Sequence, residues 1–117
     1  MIFVFGANLA GKHGKGAALC AAREYGAQRG FGHGRTGSAY AIPTKDENIQ
    51  TLPLGKIERY VAIFIAYAVN HPELQFKVTA IGTGLAGYKH EQIAPMFKRA
   101  PENCNMPEEW KPFLSEH

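Results

Sequence analysis

The stretch Phe76–Tyr88, FKVTAIGTGLAGY, constrains this chain more than any other. Phe76, Val78, Ala80 and Ile81 have the apolar and β-branched character of a buried strand. Gly82, Thr83, Gly84, Leu85, Ala86 and Gly87 follow, with three glycines in six residues, and a helix is expected from about His90. Strand, glycine loop and helix start are the parts of an anion cradle. Glycines let successive backbone N–H groups converge, and a helix N-terminus adds partial positive charge. A tight turn alone needs glycine only for positive φ. Three glycines around a Thr exceed that need, so the loop reads as ligand-binding.

The 117 residues suit one domain with one core, spanning 1–117. The longest apolar run, Val61 to Val69, is too short to cross a bilayer, so no membrane partner is expected. No basic segment precedes the first apolar stretch, so no signal peptide is expected. Cys20 and Cys104 form no CxxC pair and read as reduced thiols of a cytoplasmic protein, one of them on the packed face of a helix. Charge is uneven. Residues 1–45 hold six basic side chains against Glu24 alone, whereas residues 46–117 carry more acids than bases. The basic half is also the glycine-rich half, which suits an anionic ligand.

In chain order, Ile2 to Phe5 is a short apolar strand and residues 6–16, GANLAGKHGKG, a glycine loop. Ala17 to Gln28 reads as a helix with Ala17, Ala18, Ala21, Ala22 and Tyr25 on one stripe, punctuated by Gly26 and Gly30. Arg29 to Gly37, RGFGHGRTG, reads as a mobile surface loop. Ser38 to Pro43 is a strand that Pro43 closes, and Thr44 to Leu52 a polar connection. Pro53 opens a helix in which Leu54, Ile57, Val61, Phe64, Ile65 and Ala68 repeat at 3.6 residues. After the organising strand, Lys89 to Arg99 is a helix with Ile93, Ala94 and Phe97 inward. A short strand over Asn103–Met106 and a last turn or helix over Pro107–Leu114, carrying Trp110, complete the chain. This alternation predicts a three-layer α/β fold. Ligands of such sheets sit beyond the carboxyl ends of strands, so loops 6–16, 44–48 and 82–88 are expected to share one crevice.

Several motifs fail on inspection. Gly6 to Lys12, GANLAGK, has the first seven positions of a P-loop, but His13 stands where Mg²⁺ needs Ser or Thr. Asp46, the only Asp, does not end an apolar strand. Gly82 to Gly87 is literally GxGxxG, with Glu108 near the expected acidic position. Too little chain follows for a dinucleotide-binding half. His13, His33, His71, His90 and His117 are scattered without metal-ligand spacing, so no metal site or cofactor is expected.

Taken together, the two main glycine loops resemble those of the macro domain family, which binds ADP-ribose and related nucleotides. Thr83-Gly84-Leu85-Ala86-Gly87-Tyr88 is similar to the family's diphosphate loop, S-T-G-x-x-G-Y. Ala7-Asn8 followed by Gly14-Lys15-Gly16-Ala17-Ala18 is similar to its Ala-Asn and glycine-rich loop leading into an alanine helix. The resemblance covers roughly residues 3 to 100 and implies a three-layer α/β/α fold, a small mixed sheet with helices on both faces. The nearest branch is the terminal ADP-ribose protein glycohydrolase type. Its G-x-G-I-A is similar to Gly14–Ala18, its Thr-Lys after a strand to Thr44-Lys45, and its G-C-G-L-D to Gly82–Ala86. The chain departs at Ala86, where that branch has its catalytic Asp. The whole pattern is also similar to small phage and bacterial proteins.

The resemblance implies a module binding ADP-ribose or a relative, which in a phage could sequester a signalling nucleotide. Gly82 to Gly87 would hold the diphosphate, Asn8 would contact the distal ribose, and Tyr88 or Phe31 would cover apolar parts of the ligand. The alternative is an ADP-ribosyl hydrolase using Lys45, with Asp46 or Glu47 replacing the missing acid. A third class, a single-stranded nucleic-acid binder, rests on the cations and aromatic of Arg29-Gly30-Phe31 and His33-Gly34-Arg35.

Overall fold

β1 (Ile2–Asn8) lies at the centre of the sheet, and its alternation builds two cores. Ile2 and Val4 face one cluster and Phe3, Phe5 and Ala7 the other. A strand covered on both faces can be apolar at every position, which is why no polar alternation marks it. The computed structural model describes residues 1–114; His117 lies outside them. β1 pairs in parallel with β3 (Ala39–Lys45) and with β4 (Phe76–Val78). β5 (Cys104–Asn105) extends the sheet in parallel beyond β4, and β2 (Gly34–Thr36) runs antiparallel along β3. The order β2-β3-β1-β4-β5 is the expected small mixed sheet.

Helices cover both faces. α1 (Gly16–Glu24) packs Ala18 and Ala21 on Phe3, Phe5 and the Ala39–Ala41 side of β3. On the other face lies α2 (Leu54–Val69), whose Ile57, Val61, Phe64 and Ala68 are buried as the periodicity predicts. α3 (His90–Ile93) and a 3₁₀ helix over Ala94–Phe97 bury Ile93, Ala94 and Phe97 beside it. Trp110, on a 3₁₀ turn (Glu108–Trp110) before α4 (Lys111–Leu114), is fully buried there. Its indole N–H donates to His90 Nδ1 at 3.0 Å, which satisfies the polar end of an otherwise apolar ring. No helix of the described residues is long and apolar enough to cross a membrane.

Six expectations need correction. α1 ends at Glu24 rather than Gln28, because Gly26 turns left-handed (φ 75°) and the Ala27 N–H returns to the Ala21 carbonyl. The segment 29–37 is not a free loop: it holds β2, and the Gly30 N–H donates to the Gly11 carbonyl at 2.9 Å. β3 runs through Pro43 to Lys45. β2 stops opposite Ala41, so beyond it the proline removes no ladder bond on that side. β4 leaves the ladder after Val78, and the helix expected over 89–99 tightens to 3₁₀ at Pro95, whose ring excludes a continuous α-helix. Lastly, the cysteine on a helix, Cys20, is exposed; the buried one, Cys104, is on a strand, where burial pushes its thiol up to about 11.

Candidate functional site

Beyond the carboxyl ends of β1, β3 and β4 the chain leaves a cleft of about 610 Å³. Its walls come from 6–8, Lys12, 14–18, Thr44, Lys45, Ile49 and 79–86. The three loops expected to meet therefore do meet. Asn8 and Thr83 line the same cleft.

Each wall is built locally. The β1–β3 register slips by one between Ala7 and Asn8, so Ala7 pairs with Pro43 but Asn8 with Lys45. Thr44 is the extra residue of a bulge, a device that re-aims side chains. It sets Lys45, not Thr44, beside Asn8. The Thr44 hydroxyl is buried and donates to the Ala7 carbonyl at 3.3 Å. Asn8 turns its amide back on its own loop. Its Nδ2 donates to the Lys12 carbonyl (2.9 Å), and its Oδ1 accepts from the Lys12 N–H (3.0 Å). Asn8 thus shapes the first loop from within.

The second loop is closed by its own backbone. The Gly87 N–H donates to Gly84 O at 3.0 Å and the Tyr88 N–H to Gly82 O at 2.9 Å. The Thr83 hydroxyl donates to Ala80 O at 2.7 Å. The residues between, Gly84 to Ala86, lie on the cleft wall, and their N–H groups enter none of these bonds. Gly82 adopts φ 75°, and an added Cβ would sit 3.2 Å from the Ile93 side chain, so a side chain there would be strained and crowded. Across the cleft, α1 begins at Gly16 with no side chain capping it. The first turn of a helix leaves its N–H groups unpaired and carries about half a positive charge. Gly14 to Ala18 form that part of the wall.

The charge of the cleft is one-sided. Lys12, Lys15 and Lys45 line it, and no described carboxylate, histidine or cysteine does. Behind Lys12, His13 is buried with its ring edge-on to Phe5 at 5.5 Å, and neither ring nitrogen has a hydrogen-bond partner. Burial lowers its pKa, the Arg29 guanidinium lowers it further, and the Phe31 backbone partly opposes them.

Of the residues singled out from sequence, Asn8, Gly14, Lys15, Gly16, Thr44, Lys45, Gly82, Thr83, Gly84, Leu85 and Ala86 share this cleft. Five others do not reach it, Glu47 among them. Gly87 closes the turn behind the wall. Tyr88 donates its hydroxyl to Leu52 O at 2.7 Å, as a brace between loops. The Asp46 carboxylate accepts from the N–H groups of Asn48 and Gln50, which holds its own hairpin. Phe31 is half exposed away from the cleft. Sequence reasoning did not find Thr79, Lys12 or Ile49 as wall residues. Lys12 was legible only as part of the glycine loop 6–16, and Thr79 and Ile49 left no signal. Comparison with family models, curated proteins and solved structures found no match to this chain.

Proposed function

We propose that this protein binds ADP-ribose or a related nucleotide, as a macro-like module that holds its ligand without turning it over. The observation that carries the reading is the convergence of two glycine loops, 14–16 and 82–86, on one cleft with three lysines and, among the described residues, no carboxylate. A diphosphate fits such walls: the first turn of α1 and the N–H groups of Gly84 to Ala86 are donors without a strong charge to desolvate. Hydrogen bonds to a charged group contribute roughly 1.5–3 kcal/mol each, so a few reach the roughly −8 kcal/mol of micromolar binding after ordering costs. A reducing cytoplasm suits the two unpaired thiols.

Hydrolysis is the second reading, favoured by the bulge that sets Lys45 beside Asn8. Among the described residues its acid–base partner is missing from the cleft: Ala86 stands on the wall, Glu47 does not line it, and Asp46 is occupied in its hairpin. The basic segment 29–35 is packed on the first loop outside the cleft, which gives no support to a single-strand nucleic-acid groove.

Calorimetry with ADP-ribose tests the proposal on the wild type and on Gly84→Glu. A Cβ at position 84 meets nothing within 4 Å, and the backbone there is not left-handed, so the variant folds normally. Its carboxylate at the diphosphate wall should weaken ADP-ribose at least about tenfold, or roughly 1.4 kcal/mol. Wild-type protein that takes up no ADP-ribose, NAD or base-linked relative would sink the reading. Release of ADP-ribose from a linked substrate, lost in Lys45→Ala, would replace it with the hydrolase.

A further inference from the structure

Ile49 is the only non-glycine residue among those described with a positive φ, 63°. The left-handed region is rare for any residue with a Cβ and a genuine outlier for a β-branched one. The hairpin 45–51 enforces it. The Asp46 carboxylate accepts from the Asn48 and Gln50 N–H groups at 2.8 and 2.9 Å, and the Asp46 N–H donates to Gln50 O at 2.8 Å. The Ile49 N–H donates to Asp46 O at 3.1 Å. Asparagine or glycine would sit there with less strain. Instead the position carries a branched aliphatic side chain, 38% exposed, on the cleft wall.

A second exposed aliphatic lines the same cleft. Leu85 is 71% exposed at the tip of the second glycine loop. The Thr51 hydroxyl donates to Ala86 O at 3.2 Å, so the hairpin bearing Ile49 is tied to the loop bearing Leu85. Among the described residues no aromatic lines the cleft, because Tyr88 and Phe31 point elsewhere. Strain at Ile49 and the high exposure of Leu85 on one wall are accounted for by a ligand surface.

We propose that Ile49 and Leu85 form an aliphatic clamp for the flat, apolar face of a nucleobase carried on the same ligand as the diphosphate. The inference rests on the nucleotide reading above and extends it: the base, as well as the phosphates, is selected. A purine or pyrimidine ring is weakly hydrated on its faces, so covering it with aliphatic carbon is favourable, whereas its edges stay free for water.

The test is calorimetry with ADP-ribose and with inorganic pyrophosphate, on wild type, Ile49→Asn and Leu85→Ser. Asn tolerates the left-handed backbone, so Ile49→Asn should melt at or above the wild-type temperature. Each variant should bind ADP-ribose about tenfold more weakly and pyrophosphate as the wild type does. Unchanged ADP-ribose affinity in both variants overturns the clamp and leaves the nucleotide reading standing. An equal loss for pyrophosphate also overturns it, since the loops rather than a base contact would then be at fault. Wild-type protein that binds no ADP-ribose overturns both.

Discussion

His13 shows how one residue ties the cleft loop to the core. It is buried on Phe5 with two unpartnered ring nitrogens, and Arg29 adds a like charge to any proton it takes up. Its folded pKa is therefore lowered. The unfolded chain binds a proton below the ordinary value of about 6.5 and the folded chain resists it. Stability is thus complete above that value and falls as pH drops through it. Thermal melts should give a lower Tm at pH 5.5 than at 7.5, and His13→Met should shrink the difference. His33, also lowered by burial, keeps a remainder. A variant with an undiminished acid-side loss would contradict this assignment. Glycines and polar residues after strands made most of the site legible. Ile49 in the site, and the structural role of Asn103 outside it, were not. Asn103 Nδ2 donates to the carbonyls of Ala68, His71 and Leu74, 29 to 35 residues away in sequence, and Ile49 depends on a backbone conformation its own side chain disfavours.

At the scale of elements, the segment 29–37 departs most from its sequence. Eight small or polar residues of nine read as mobility, yet the glycines serve contact. A Cβ on Gly32 would lie 1.9 Å from the Asn8 carbonyl oxygen, and one on Gly11 2.3 Å from the Gly30 backbone. These glycines let two loops touch backbone to backbone, which holds the first loop of the cleft from behind. Gly32→Ala should cost roughly 2 kcal/mol of stability in a denaturant melt, because neither backbone can yield cheaply. A loss under about 0.5 kcal/mol would show the segment to be free after all. α2 stood out because its apolar stripe repeats over sixteen residues. β4 and β5 were expected where they lie but over longer spans, because strands of three and two residues take their bounds from partners distant in sequence.

For the whole molecule, the alternation of strands and helices was sufficient to place the loops. Parallel pairing of β1 with β3 and β4 sends three chain segments out of the same end of the sheet. Two of them carry glycine, and the third carries Thr44 and Lys45. The cleft is thus a consequence of topology, whereas its charge and its aliphatic lip are choices of sequence. Backbone amide NMR during an ADP-ribose titration tests the central claim most directly. The account predicts that the amides of 14–18 and of 82–86 shift together, on one binding curve. Shifts confined to one of these loops, or gathered instead on 29–35, would contradict it.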